Sequence, residues 1–145
     1  MKVKSSMSVE KNRREAVRWF KTSQGDLESA VILLENNRYA HSCFHSQKAG
    51  EKAIKSVWYL LDADPWGHSI KKLIQGLEQV DLKAHNKLKT LGKCAVLLDR
   101  FYITTRYPNG LPELTPEEAY LEEDAKSCIE NADRILKAVD RFYRR

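Results

Sequence analysis

The stretch at residues 39–61 reads YAHSCFHSQKAGEKAIKSVWYLL. Its apolar residues recur mostly with steps of three and four, which is the spacing of an α-helix that buries one face. Small residues and one amide interrupt this face at Gln47, Ala49, Gly50 and Ala53. Small side chains allow a neighbouring helix to approach closely, and a buried glutamine needs hydrogen-bond partners. The stretch therefore predicts a central helix packed among other helices.

Three further stretches repeat the helical spacing, and no segment alternates with the period of a β-strand. They lie at residues 16–34, 84–102 and 121–142. Thr115 to Glu118 has the composition of a capping box at a helix start, and Asp81 is a candidate cap for the third long helix. Ser69 is a candidate cap for one short helix at residues 70–79. We therefore predict an all-α, up-and-down bundle of four long helices and one short helix.

Length and composition are those of an ordinary globular domain. The chain has 145 residues, of which 42% are hydrophobic and 31% charged. It has no apolar run of the roughly 18 residues that a membrane span needs. The formal charge of +5 comes from residues 1–21, because the remaining residues are neutral in sum. We predict a basic, flexible leader at residues 1–9 and one domain at residues 10–145, with a cytoplasmic location and no membrane partner.

The cysteines and two of the histidines invite a metal-site interpretation that the spacing does not support. Cys43, Cys94 and Cys128 are far apart in sequence and lie beside apolar residues, so we predict three packed, reduced thiols. His41 and His45 have the i, i+4 spacing of metal ligands, but the glutamate of a zincin motif is missing between them. We predict neither a metal nor a cofactor, and interpret the two imidazoles as surface or packing groups.

The segment at residues 98–110, LDRFYITTRYPNG, carries the best candidates for binding chemistry. Arg100 and Arg106 can fork onto phosphate or carboxylate, and Tyr102 and Tyr107 can stack on a base or donate to phosphate. The alternative is structural: the arginines would tie the loop to carboxylates while the tyrosines fill the bundle. A further cation, Lys52, is either a phosphate ligand or a solvated lysine. Both interpretations remain open from the residues alone.

Three segments together resemble HEPN domains. They are residues 39–55, the tripeptide Gly67-His68-Ser69 and residues 99–108, and the similarity extends over residues 10–143. The resemblance implies a helical bundle that forms a homodimer. It also implies a toxin–antitoxin setting, since HEPN proteins are often encoded beside a minimal nucleotidyltransferase, and many HEPN toxins are metal-independent ribonucleases.

The chain departs from the ribonuclease members at the catalytic position. Those members carry an arginine, four to six residues and then a histidine, often followed two residues later by tyrosine. Counted from Arg100 with four residues between, the histidine position holds Thr105 and the tyrosine position holds Tyr107. A threonine hydroxyl does not titrate near neutral pH, so it cannot replace imidazole as a general base.

We therefore predict a non-catalytic or weakly catalytic, dimeric module that binds nucleotide, RNA or a nucleotidyltransferase partner. Its candidate binding residues are Arg100, Tyr102, Thr105, Arg106, Tyr107 and Lys52. One alternative is a ribonuclease toxin that uses a different base, such as Tyr102 or a neighbouring histidine. Another is an assembly partner without a ligand, in which the same loop is an interface. A histidine brought to the loop from elsewhere in the chain would favour the ribonuclease.

Overall fold

The computed structural model describes residues 6–144, and side chains at 8–102 and 105–144. Regular structure within this part of the chain is helical, without a β-strand, so the predicted all-α bundle is confirmed. The α-helices are α1 (Ser6–Glu35), α2 (Tyr39–Leu60), α3 (Ile70–Gly76), α4 (Leu82–Leu88), α5 (Gly92–Asp99), α6 (Phe101–Thr104), α7 (Pro116–Ala119) and α8 (Glu122–Tyr143). Residues 6–9 of the predicted leader begin α1, whereas its residues 1–5 lie outside the described residues.

The helix α2 is the centre of the bundle, as its sequence predicted. It packs against α1, α8, α3 and α5. The join to α1 is short and passes through Asn37, whose positive φ of 61° suits an asparagine at the end of a helix. Among the residues that the structure describes, no helix is both long and apolar enough to cross a bilayer.

The small residues of α2 allow the neighbouring helices to converge on it. A Cβ atom added at Gly50 would lie only 2.9 Å from Ile70 Cδ1, 3.2 Å from Leu98 Cδ1 and 3.3 Å from Ile135 Cδ1. These three side chains come from α3, α5 and α8, so Gly50 marks the point where those helices meet α2. The helices can pack this closely because Gly50 has no side chain.

The prediction of one continuous long helix at residues 81–102 is wrong. Asp81 does cap a helix, since its carboxylate accepts the Ala84 amide at 2.9 Å. The α-helix then stops at Leu88, tightens through a 3-10 turn at Lys89–Leu91 and resumes at Gly92. Thr90 and Gly92 are poor helix formers, which makes this the place where a bend costs least. Its apolar residues remain buried across the bend: Ala84, Leu88, Leu91, Ala95 and Leu98.

The last helix also begins later than its start signal predicted. Thr115 and Glu118 form the expected capping box, but the helix α7 that they begin is only one turn long. Tyr120 and Leu121 are extended, and α8 starts at Glu122 with the Leu121 amide donating to Asp124 at 2.8 Å. The Tyr120 ring lies 5.5 Å from the Phe101 ring, so the break places this tyrosine against α6.

The three cysteines are free and buried, as predicted. Cys43 on α2 and Cys128 on α8 are both at most 1% exposed. A hydrogen bond with Cys43, together with burial, raises the pKa of the Cys128 thiol. A raised pKa keeps a thiol protonated and unreactive, which fits a packing role for this pair.

Candidate cationic and aromatic site

One face of α2 carries aromatic and charged side chains towards the segment that follows α5. Phe44, Lys48, Glu51 and Lys55 lie within about 60° of one another around the helix axis. The Lys48 ammonium is 4.8 Å from the Tyr102 ring centroid and 5.8 Å from that of Phe44. Such distances allow cation–π attraction, which holds Lys48 between α2 and α6.

The loop between α2 and α3 is fixed beside this face by one carboxylate. Asp99, the last residue of α5, accepts the Ser69 hydroxyl at 2.9 Å, the Ile70 amide at 2.9 Å and the Lys71 amide at 3.0 Å. The buried Gln47 amide donates to the His68 carbonyl at 2.8 Å. Ser69 also caps α3, since its hydroxyl accepts the Lys72 amide at 3.1 Å, as predicted. The backbone of His68 is therefore held from two sides.

His68 reaches the aromatic face from this loop. Its imidazole stacks on the Tyr102 ring with centroids 4.9 Å apart and planes 14° apart. Tyr102 lies 6.5 Å from Phe44, and the Arg106 guanidinium lies 4.9 Å from the Phe44 centroid. We call these five side chains the cationic–aromatic cluster: Phe44, Lys48, His68, Tyr102 and Arg106.

Glu51 is buried next to the cluster and contacts two of its members, Lys48 and His68. Its side chain is 3% exposed, and its carboxylate oxygens lie 3.3 Å from Lys48 Nζ, 3.0 Å from Lys55 Nζ and 3.3 Å from His68 Nδ1. A buried carboxylate is costly unless it is paired and hydrogen-bonded, and these three partners supply that compensation. The His68 side chain is 54% exposed, so part of it remains accessible to other molecules.

The structure brings three of the predicted binding residues together. Tyr102 and Arg106 belong to the cationic–aromatic cluster, and the Tyr107 ring lies 5.3 Å from the Arg106 guanidinium. Tyr107 is 47% exposed and forms the outer side of this group. Arg100 is exposed at the C-terminal end of α5, one residue beyond Asp99.

The other two predicted residues lie elsewhere. Thr105 is 1% exposed, and its hydroxyl donates to the Phe101 carbonyl, so it completes the end of α6. Lys52 is about 80° around α2 from Phe44 and faces α1, where its ammonium lies 2.7 Å from Asp26. Burial by itself raises the pKa of Asp26, but the nearby His45 and Lys52 side chains outweigh it, so this pKa lies below its ordinary value.

His41 and His45 point to different carboxylates. His41 Nε2 lies 3.4 Å from Glu117 on α7, and His45 Nδ1 lies 3.7 Å from Asp26 on α1. Each imidazole therefore connects α2 to a neighbouring helix, which agrees with the predicted surface or packing role.

Sequence reasoning missed Phe44, His68 and Glu51 as members of the site. Lys48 and Lys52 are one turn apart on α2, and helical spacing alone does not say which of the two faces the loop at residues 98–110. The signal for Lys48 and Glu51 was present in their spacing from Phe44, which places all three on one face. His68 gave a weaker signal, because its contact with Tyr102 joins residues 34 positions apart.

The arrangement has two chemical capacities. Exposed cations next to aromatic rings suit a ligand that combines a phosphate with a flat base. A part-exposed imidazole whose Nδ1 faces a carboxylate has the arrangement of a general base.

Comparison with known proteins gives a consistent family assignment. A family model described as "HEPN domain" matches residues 16–142. The protein named "Putative toxin MJ1304" from Methanocaldococcus jannaschii is 30% identical over 138 residues, which cover 92% of this chain and 91% of that protein.

Solved structures agree with this assignment. TT1696 from Thermus thermophilus superimposes with a TM-score of 0.79 and 32% identity, over 88% of this chain and 97% of that chain. ST0689, described as an archaeal HEPN homologue, gives a TM-score of 0.71 and 34% identity, over 87% of this chain and 95% of that chain. The resemblance inferred from the sequence motifs is therefore confirmed.

Proposed function

The chain belongs to the HEPN domain family, and on that premise we propose that it is the toxin-type member of a toxin–antitoxin pair that binds nucleotide or RNA. The site that we propose for this binding is the cationic–aromatic cluster, together with Tyr107 beside it and the exposed Arg100 at the end of α5. The 30% identity to a protein named as a toxin supports the first part. The second part depends on the geometry of the cluster.

One observation carries the binding proposal: the exposed Arg106 guanidinium and the half-exposed His68 imidazole lie on the same group of stacked rings. Arginine binds phosphate through two parallel hydrogen bonds, and protonated imidazole adds a further donor. Tyr102 and Phe44 fix both groups, which reduces the cost of ordering them when a ligand binds.

A partner and an oligomeric state belong to the same proposal. We propose a homodimer, with a minimal nucleotidyltransferase as the second protein of the pair. Exposed apolar side chains, among them Ile32 and Leu121 at 59% exposure each, offer area for such contacts. Free cysteines favour a reducing, cytoplasmic compartment. Sedimentation that shows only a 16.8 kDa species at micromolar concentration would reject the homodimer.

A binding titration with short RNAs and nucleoside phosphates tests the proposed function. Arg100→Ala combined with Arg106→Ala should weaken binding at least about tenfold, because two charge-assisted contacts are lost. The matched control is Arg134→Ala, an exposed arginine on α8, which should bind like the wild type. Identical curves for all three proteins, or no binding by the wild type, would reject the proposal and favour a ligand-free assembly partner.

A second candidate function follows from the contact between His68 and Glu51. A ribonuclease needs a base for the ribose 2′-hydroxyl, and an imidazole oriented by a carboxylate is suited to that task. An RNA cleavage assay should compare the wild type with His68→Ala and with His41→Ala, a similarly exposed histidine on α2. Turnover that His68→Ala alone abolishes would establish this enzyme. Absence of turnover in the wild type would leave the binding module.

A further inference from the structure

Trp66 is the most exposed large hydrophobic residue in the described part of the chain. Its relative exposure is 87%, against 59% for the next residues, Ile32, Leu82 and Leu121. Tryptophan is the largest side chain and is usually well covered, so this degree of exposure marks a potential contact surface. It stands between Pro65 and Gly67 in the loop that leads to His68.

The loop holds the indole on a backbone that is fixed at both ends. At the start, the Ala63 amide donates to the Trp58 carbonyl at 3.0 Å, and Asp62 has a positive φ of 58°. At the end, Gly67 has a φ of 83°, a conformation that glycine adopts without strain. The His68 carbonyl and the Ser69 hydroxyl are then bound by Gln47 and Asp99. A ligand that contacts Trp66 therefore has little backbone to order.

Trp66 stands close in the chain to the charges proposed to bind phosphate. Trp66 precedes His68 by two residues, so their Cα atoms are at most about 7 Å apart. His68 stacks on Tyr102, and the same cluster holds the exposed Arg106. An exposed aromatic ring beside a cationic site is the arrangement with which proteins bind single-stranded nucleic acid, through base stacking and backbone charge together.

We propose that Trp66 is a nucleobase-stacking site, and that the ligand of the adjacent cluster is single-stranded RNA. This inference rests on the proposed function and deepens it by naming the ligand class. A duplex hides the faces of its bases in the helical stack, whereas an unpaired base can lie on the indole. Stacking adds affinity with little sequence preference, because every base has a flat face.

The test is fluorescence anisotropy with two labelled oligoribonucleotides, hexauridylate and an abasic hexamer with the same backbone. Trp66→Ala should weaken hexauridylate binding about 5- to 150-fold and leave the abasic hexamer unchanged. Trp66→Phe, which keeps a smaller ring, should give an intermediate loss. The matched control is Leu82→Ala, an exposed apolar residue on α4, which should bind both oligomers like the wild type.

The outcomes separate the stacking site from the proposed function. If the wild type binds hexauridylate and Trp66→Ala binds it equally well, the stacking site is rejected and the proposed function stands. If the wild type binds neither oligomer, both are rejected. If Trp66→Ala instead dissociates a dimer in sedimentation and binds both oligomers like the wild type, Trp66 is a contact between protomers and the stacking site is again rejected.

Discussion

The imidazole of His68 and the phenol ring of Tyr102 lie nearly parallel, with centroids 4.9 Å apart, and join the loop before α3 to α6. Replacing Tyr102 with leucine should move the ring proton resonances of His68 towards their unfolded values, because the aromatic ring current is lost. Tyr102→Phe keeps the ring and should leave these resonances close to those of the wild type. NMR spectra of the imidazole protons measure the effect, and equal spectra for wild type and Tyr102→Leu would contradict the stack.

A side chain at position 50 should lower the stability of the bundle. Gly50→Ala places a Cβ 2.9 Å from Ile70 Cδ1, so the bundle must open or a core side chain must leave its rotamer. Overpacking of this kind costs about 1–3 kcal/mol in the free energy of unfolding. The control is Gly25→Ala on α1, where nothing lies within 4 Å and the change should stabilise by about 0.5–1 kcal/mol. Urea denaturation of both variants gives the comparison, and equal midpoints would contradict the packing at Gly50.

Asp99→Ala should destabilise the fold far more than the loss of a surface carboxylate. Three donors on Ser69, Ile70 and Lys71 lose their acceptor, and hydrogen bonds to a charged group are worth about 1.5–3 kcal/mol. The control is Asp133→Ala, whose partner Lys137 is 68% exposed, and which should cost at most about 0.5 kcal/mol. Equal denaturation midpoints for the two variants would show that Asp99 does not hold α3.

The lowered pKa of Asp26 predicts a specific loss of stability in acid. A carboxyl whose pKa falls on folding stabilises the native state above its ordinary pKa of 3.8, and this contribution disappears as the pH falls through the folded value. The difference in unfolding free energy between wild type and Asp26→Asn should therefore be largest above about pH 4 and shrink at lower pH. The surface control is Glu10→Gln, which removes an exposed pair with Arg14 and should change the unfolding free energy little. A difference that stays constant down to about pH 2 would contradict the pairing.

The thiols should react only when the protein unfolds. Cys43 and Cys128 are at most 1% exposed, and the raised pKa of Cys128 reduces its thiolate further. Titration with a thiol-specific disulfide reagent should modify neither in the native state and all three cysteines in concentrated urea. Rapid modification of Cys128 under native conditions would contradict the burial.

Helical periodicity predicted the elements that depend on local spacing. The bounds of α2, the end of α1 and the cap of α3 follow from apolar steps and from residues such as Ser69, whose action is confined to one turn. The bend at Lys89–Leu91 escaped prediction because the apolar stripe continues through it, and periodicity measures the stripe rather than the backbone.

The sequence predicted the site residues that follow α5, but not those that come from α2 and from the loop before α3. Residues 100–107 supplied Tyr102, Arg106 and Tyr107, because arginine and tyrosine at a helix end are visible in sequence. His68 and Glu51 were not visible, since their roles depend on tertiary contacts between α2, the following loop and α6. Position 105 holds threonine instead of the histidine of the ribonuclease members. His68 nevertheless brings an imidazole next to the same loop from another part of the chain.

Asp99 ends α5 and, through Ser69 and the first amides of α3, also holds the loop that carries Trp66 and His68. Arg100 and the turn with Arg106 follow directly after the same carboxylate in the chain. A mononucleotide bound near Arg106 should consequently rigidify the loop that carries Trp66. This should raise the affinity of Trp66 for a nucleobase. By thermodynamic reciprocity, a base bound at Trp66 should raise the affinity near Arg106 by the same factor. Binding at the two places is therefore linked.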